Sequence, residues 1–532
     1  VVDRAGRSLA SALCALALLC APAAHAQAQA EAQAQAQEQA QGRAWLIVPA
    51  VGLESTLTDN VNLAPSDQRR SDWVNQITPA LTFSGSGAHT KLAGSVSAPM
   101  ILYLRTSSRN YVAPEANIDG TLEAIDKFLF VDTSVRVSQQ YLDPFGAQPN
   151  ELASVTQNRY TAQAYTVSPY IKGKAPGGVD YELRQSDIWS NATGISTGTG
   201  SNRSYTDGVT AHVAQAPRPG GWKLEYERSD IHFTGQGTVS GQDRETTEVA
   251  RVNVDYKPDP TLLASLIGGY EDNHFFDVRE RGAVYGASAE WRPTDRMTVK
   301  ARGEHRFFGA GYSLSFDNHT PHTVWSLLAS RDISSYPQQL ASLSGGGDVR
   351  AMLDSLLAPE VPDPTQRQAL VDQTIRDRGL PLTLSGPLAL YAQQVTLLES
   401  ESASFGILGA RNSIFLRAYR SRSQPVAGSL IDSLSTLLQR LIDNTQVGTS
   451  VTWTHQLAPS LRLGVDGGWL RTTANTGAGG ATRLYTLGTT LSTPLSARTT
   501  LSGGLRYQDS TSSITTSYRE FAVFVGLDHR FR

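Results

Sequence analysis

Apolar and polar positions alternate along this chain in blocks of about ten residues, each closed by a turn, from Trp45 to Phe531. The last block shows it best. Phe521, Val523, Val525, Leu527 and Phe531 fall on one face, Ala522, Gly526, Asp528 and Arg530 on the other, and Phe524 and His529 break the pattern. Successive side chains of a strand point to opposite faces, so each block has one apolar and one polar wall. A soluble sandwich would alternate in the same way. About twenty such blocks with no second composition class between them predict instead an all-β fold: a large antiparallel up-and-down barrel, apolar toward lipid and polar toward a wet lumen.

Turn residues divide the blocks into strands, from 45–57 through 321–331 and, after a long interruption, from 392–407 to 519–531. Short connections such as Gly85–Ala88, Asp126-Lys127, Pro258–Pro260, Pro293–Asp295 and Ala458-Pro459 alternate with long ones such as Thr58–Asp72, Tyr141–Asn158, Thr234–Glu245 and Ser421–Asn444. Outer-membrane barrels have short periplasmic turns, long outer loops and an even strand count. The count is 22. A tight turn at 307–309, where the alternation calls for a long loop, leaves 18 to 20 open. All eight tryptophans fall in or at the ends of these strands, as do Tyr103, Tyr181 and Tyr256, the placement of interfacial girdles.

Helical spacing appears within two long loops, 332–391 and 421–444. Asp363-Pro364 followed by Gln366 gives an N-cap, a first-turn proline and a capping-box partner, and Gly379 then Pro381 gives the stop, so 364–378 is a helix. A shorter one spans Val349 to Leu357. Leu430, Leu434, Leu437, Leu438 and Leu441 form a further apolar stripe. Such stripes need cover. The expectation is an outer cap in which the helices pack on each other; the alternative is a constriction or lid over the pore.

The N-terminal segment supplies the compartment. Arg4 and Arg7 precede an apolar run from Leu9 to Ala21, and Ala24-His25-Ala26 has the form of a signal-peptidase site, so residues 1–26 read as a signal peptide. Cys14 and Cys20 lie within it, which leaves the mature chain without a disulfide framework. Residues 27–44, rich in Ala and Gln, read as a disordered lead-in. TonB-dependent transporters place a folded plug before the barrel, and the expectation here is that none precedes Trp45. Residues 45–532 form one barrel, and its location is the outer membrane of a Gram-negative cell. A net charge of −3 and a pI near 6.4 argue against nucleic-acid binding.

Chemical motifs are sparse. Gly194-Ile195-Ser196-Thr197-Gly198 matches the nucleophile-elbow string without its strand–turn–helix context. Asp317, His319 and His322 cluster at a turn and read as a polar turn rather than a metal site. No catalytic, cofactor-binding or metal-ligating set is expected. By alternation, Asp132, Arg136, Glu182, Arg184, Glu225, Glu227, Arg251, Asp255, Lys300, Arg302 and Glu304 point away from the apolar face and line the lumen. Both signs are present, which predicts a mixed polar interior without a single-sign selectivity ring.

Val48-Pro49, Thr58-Asp59-Asn60-Val61-Asn62-Leu63-Ala64-Pro65, Ser71-Asp72 and Ile77-Thr78-Pro79 open a chain that resembles a known family. Further matches are Phe128-Leu129-Phe130-Val131-Asp132 with Ser138-Gln139-Gln140, Thr323-Val324-Trp325-Ser326 before Ser330-Arg331-Asp332, and the insert ending Gly379-Leu380-Pro381. The resemblance is to the outer-membrane β-barrel proteins associated with the PEP-CTERM/exosortase system, and it runs over the mature chain. It implies location and a link to exopolysaccharide biosynthesis, and it assigns no chemistry to any residue. The reading is a non-enzymatic barrel serving exopolysaccharide export or surface attachment; a general diffusion porin and an outer-membrane enzyme acting on lipid or glycan are the alternatives. Expected partners are outer-membrane lipid, exopolysaccharide with its export machinery, and the barrel-assembly machinery, which would read the C-terminal strand at Phe531.

Overall fold

Hydrogen-bonded strand follows hydrogen-bonded strand around this molecule until the last pairs with the first. A computed structural model describes residues 45–149, 151–193, 202–234, 243–275, 278–341, 349–358, 360–381, 384–388, 395–426, 440, 442–475 and 479–531. The expected signal peptide, the Ala/Gln lead-in, the Ser196 string and the leucine stripe at 430–441 lie outside the described residues.

The strands are β1 (Trp45–Thr58), β2 (Asp72–Ser86), β3 (Thr90–Ser97), β4 (Met100–Tyr103), β5 (Tyr111–Val112), β6 (Glu115–Ile125), β7 (Leu129–Tyr141) and β8 (Arg159–Ala175). Next come β9 (Val179–Thr193), β10 (Asn202–Gln215), β11 (Gly220–Thr234), β12 (Arg244–Asp259), β13 (Leu262–Phe275), β14 (Val278–Thr294), β15 (Met297–Arg306) and β16 (Gly309–His319). The last are β17 (Thr323–Ser334), β18 (Thr396–Leu408), β19 (Asn412–Pro425), β20 (Asn444–Ala458), β21 (Leu461–Ala474), β22 (Ala481–Ser496), β23 (Thr499–Ser512) and β24 (Tyr518–Arg530). β3 and β4 both pair with β2, and β5 and β6 pair back onto β4 and β3, so these four segments make two staves. Pro99 and Pro114 stand at the two breaks, where a residue without an N–H cannot continue a ladder. β1 pairs with β24, and the result is a closed antiparallel barrel of 22 strands, as expected.

The tight connection that cast doubt on the count is a hairpin. Arg306 pairs with Gly309 across Phe307-Phe308, and Gly309 has φ +91, a conformation open to glycine without strain. At the rim, Phe307 packs with Ile231, Phe233, Phe275 and Val395, so a short connection is held by apolar cover.

The outer wall carries the apolar face. Leu53, Leu57, Leu266, Leu487, Val523 and Val525 are exposed on it, with Trp73 near one rim and Trp45, Trp291 and Trp325 near the other. From Trp73 to Phe83 on β2, about 3.4 Å per residue and a tilt near 40° give a height of about 26 Å, which matches the apolar band of a membrane barrel. Phe524 points inward, against the expectation for an apolar residue. A Cβ on Gly504, its register partner, would stand 2.7 Å from the Phe524 ring, so that glycine is what admits the aromatic.

Helices α1 (Tyr336–Ala341), α2 (Val349–Leu357) and α3 (Pro364–Arg378) follow β17. Asp363 caps α3 by accepting the Gln366 amide at 3.2 Å, and Gly379, at φ +59, ends it. α2 and α3 pack on each other as expected, with Arg350 on Asp372 and Arg367 on Asp354, but the expected outer position is overturned, because these helices descend into the lumen. Val349, Met352, Leu353, Leu356, Val371 and Ile375 pack against Val324, Leu408 and Phe415, which lie on the inward face of β17–β19 close to the short-turn rim. Arg378 at the end of α3 donates to the Gly409 carbonyl in the short β18–β19 turn (2.5 Å), and Arg462 at the start of β21 donates to the Asp377 carbonyl. The physical reason lies in the wall: Val324 and Phe415 are apolar residues at inward positions, and they offer the stripe its cover. The loop expected from 421 begins later, since β19 runs to Pro425.

Candidate functional site

The lumen has two unlike halves. Along β17–β21 the insert covers the wall. Its return path is tied by Arg417 Nη1 to the Leu384 carbonyl (3.5 Å), by the Leu388 amide to Gln446 Oε1 (3.1 Å) and by the Val395 amide to Glu245 Oε2 (2.9 Å). Along β7–β15 the wall carries paired charges, and all eleven residues expected there share the inward register.

Asp132, Glu182 and Arg184 converge. Arg184 donates to Asp132 Oδ2 at 2.8 Å and to Glu182 Oε1 at 3.2 Å, and its guanidinium lies 3.8 Å from the Tyr170 ring centroid. Tyr170 stacks in turn on Phe130 at 5.1 Å. Phe130, Tyr170 and Arg184 are neighbours in register, so three planar groups stand in file across β7, β8 and β9. Planar packing of this kind fixes an arginine that would otherwise swing in water. Arg136 turns the other way, to Asp119 at 2.5 Å.

A second network spans β11 to β15. Arg251 meets Glu304 at 3.1 Å and Glu227 at 3.9 Å; Arg302 meets Glu304 at 2.6 Å and Glu225 at 3.4 Å; Lys223 meets Glu225 at 2.8 Å. Bridges that leap over intervening strands form on the concave side of a sheet, which places these groups inside. Gly269 and Gly286, inward on β13 and β14, leave the space over which Arg251 reaches Glu304. Glu227 is 58% exposed, so this network faces water. The more exposed bridges, of Glu227, Arg302 and Lys223, contribute about 0–1 kcal/mol each, whereas the Arg251 and Glu304 side chains are largely buried, so their attraction is set against the cost of desolvating both. Asp255 and Lys300 lie on the same wall without an ion-pair partner among the described residues.

Several lumenal groups escaped the sequence reading: Asp119, Lys172, His212, Lys223 and Asn253 on the open arc, and Glu54, Asp466, Arg506 and Glu520 near the barrel seam. They obey the same alternation, and the signal was a single polar or charged residue at an inward position. Glu520 is buried and accepts from Thr58 Oγ1 (2.6 Å), from Ser154 Oγ (2.9 Å) and from Gln508. Arg506 stands 3.8 Å away, with its Nε and Nη2 lacking a hydrogen-bond partner among the described residues.

Ser154 belongs to the loop at 142–158, which crosses the mouth. Thr482 and Thr515 donate to the Phe145 carbonyl at 3.2 and 2.7 Å, and Tyr111 donates to the Leu152 carbonyl at 2.7 Å. Glu151 in this loop has its carboxyl pushed up to about 7 by burial, with Arg506 opposing and Glu54, Asp466 and Glu520 adding to the rise. Asp317 is engaged with Ser326 at 2.8 Å, and no three His, Cys, Asp or Glu side chains gather in a metal-holding group among the described residues.

No protein-family model and no curated protein sequence matches the chain. Solved structures that it resembles include the FrpB iron transporter from Neisseria meningitidis (F3-3 variant), with a TM-score of 0.48, 9% identity, 91% of this chain and 82% of that chain covered. The siderophore receptor PirA from Acinetobacter baumannii gives a TM-score of 0.44 at 9% identity, with coverages of 91% and 80%. OpdO from Pseudomonas aeruginosa gives 0.30 at 9%, with coverages of 91% and 98%. What the chain itself shows is the closed antiparallel barrel of its own strand pairing; the proteins it resembles are barrels named as iron transporters, siderophore receptors and OpdO.

Proposed function

We propose that this barrel is a non-enzymatic conduit of the Gram-negative outer membrane, throttled by its own β17–β18 insert, and that its cargo is an exopolysaccharide on its way to export or surface attachment. One observation carries the conduit reading: the insert fills one side of the lumen down to the short-turn rim, while the opposite arc keeps paired, water-facing charges. A polyhydroxylated chain suits such an arc. Balanced charges offer it donors and acceptors without trapping it by net charge. The choice of exopolysaccharide rests on the resemblance to the PEP-CTERM-associated family.

The test has two readouts. In planar bilayers the intact barrel should show small or flickering conductance, and replacing residues 336–394 with a short Gly/Ser linker should open it several-fold. A large, steady conductance unchanged by that deletion would sink the throttled conduit and favour a general diffusion porin. In cells, loss of the protein should reduce surface polysaccharide, and unchanged polysaccharide would overturn the cargo.

A further inference from the structure

Like charges directly opposed on neighbouring strands destabilise a sheet, because their Cβ atoms stand about 4.5–5.5 Å apart. Arg471 on β21 and Arg483 on β22 are such a pair. Both are exposed and point outward, in phase with Trp469 and Tyr485, which pair with each other two residues nearer the membrane midplane. Neither arginine has an ion pair or side-chain hydrogen bond among the described residues. Their flanking register partners, Val447 and Thr511, bring no acid.

Most outward cations near this rim are different. Arg228 and Arg244 close on Asp230, Arg279 and Arg281 on Asp272, Arg420 on Glu399 and Glu401, and Arg519 on Asp509. Arg203, also outward and without an ion pair among the described residues, stands alone between Asn191 and Thr234. On a belt that neutralises most of its cations, Arg471 and Arg483 are uncompensated and directly opposed, just above the aromatic girdle on the long-loop side. That is headgroup height. Two guanidinium forks side by side suit a phosphate, which each can bind through two N–H groups.

We propose that Arg471 and Arg483 form a docking site on the lipid-facing wall for a phosphate of lipid A, the phosphorylated glycolipid of the outer leaflet. Trp469 and Tyr485 lie beneath it, against the sugar and the first acyl carbons. The site requires the long-loop rim to face outward and is independent of whether the lumen conducts.

Native mass spectrometry of the folded full chain, released from zwitterionic detergent after titration with lipid A or with phosphatidylglycerol, tests it. The wild type should retain one lipid A about tenfold more tightly than Arg471→Ser/Arg483→Ser, while Arg519→Ser, an ion-paired control on the same wall, should bind as the wild type does. Without lipid the double variant should unfold at the same temperature as the wild type or higher, since a repulsion has been removed, and this confirms that it folds. Lipid A should then raise the wild-type temperature alone. Equal retention of lipid A by wild type and double variant would overturn the site. Phosphatidylglycerol held as tightly as lipid A would also overturn it, and would leave the conductance prediction untouched.

Discussion

At the scale of single residues, the most constrained charge is Glu271, whose side chain is 0% exposed while its partner Arg306 is 6% exposed. Glu271 accepts from Arg306 Nη2 at 2.8 Å and from the Phe307 amide at 2.6 Å, and Arg306 reaches on to Asp332 at 2.6 Å. One carboxylate thus closes a two-residue hairpin of the long-loop rim. Removing it leaves a buried guanidinium with part of its compensation gone, a loss of about 3 kcal/mol. Glu271→Ala should lower the urea midpoint of the refolded barrel accordingly, with Glu271→Gln, which can still accept the Phe307 amide, falling between; an unchanged midpoint for the alanine variant would refute the closure. The sequence made Glu271 no more conspicuous than Glu248, which sits on the outward face. Alternation told inside from outside for Arg251 and Glu304. It could not show that they meet, because β13 and β14 lie between β12 and β15 and the relative height of the two is set by the turns between them.

Elements were legible where local chemistry defines them and opaque where their destination decides. Asp363, Pro364 and Gly379 mark the two ends of α3 by capping chemistry alone, and α2 follows from its leucines. α1 escaped because six residues are too few for a periodic signal; what holds it is Tyr336, whose hydroxyl lies 2.7 Å from that of Tyr160 across the lumen, and Leu340 on Ala162 and Ala192. Where α2 and α3 go depends on inward apolar residues of distant strands, a contact no local pattern encodes. The loop at 142–158 presents the same problem and yields a test. Crowding by the surrounding wall and loop raises Glu151 most, Glu54, Asp466 and Glu520 add to the rise and Arg506 opposes it, while the part of the side chain that still meets water tempers these effects. Its carboxyl titrates near 7 when docked and near 4.3 in a free chain. A raised carboxyl favours the protonated, docked loop. Docking should therefore be firmest below about pH 4 and weaken as pH rises through 7. Limited proteolysis within 142–158 should accelerate over that window in the wild type and stay flat in Glu151→Gln; a pH profile unchanged by that substitution would remove Glu151 from the latch.

For the molecule as a whole, closure is what converts alternating strands into a membrane protein. An open sheet would leave a row of unpaired N–H and C=O groups in lipid, each costing several kcal/mol, so the pairing of β1 with β24 is required by the solvent. Alternation and turn lengths gave the strand number because every strand must cross the same thickness, and the polarity of each face is read directly from the sequence. Register at the seam is a different matter, since no turn connects β1 to β24 and nothing local sets their offset. The structure pairs Leu57 with Val523, both outward. A slip by one residue would turn every β24 side chain to the wrong wall, and a slip by two would carry the opposed positions to about 7–8 Å. The two cysteines of the chain, Cys14 and Cys20, fall in the expected signal peptide, so an introduced pair can be read cleanly. Leu57→Cys/Val523→Cys should oxidise in the folded barrel to a bond that ties nearly the whole chain into a ring. Once denatured, the oxidised protein should migrate differently from its reduced form. Leu57→Cys with Phe521→Cys should give little of that species. Equal cross-linking by both pairs, or by neither, would break the proposed seam and with it the single closed barrel on which the lumenal arc depends.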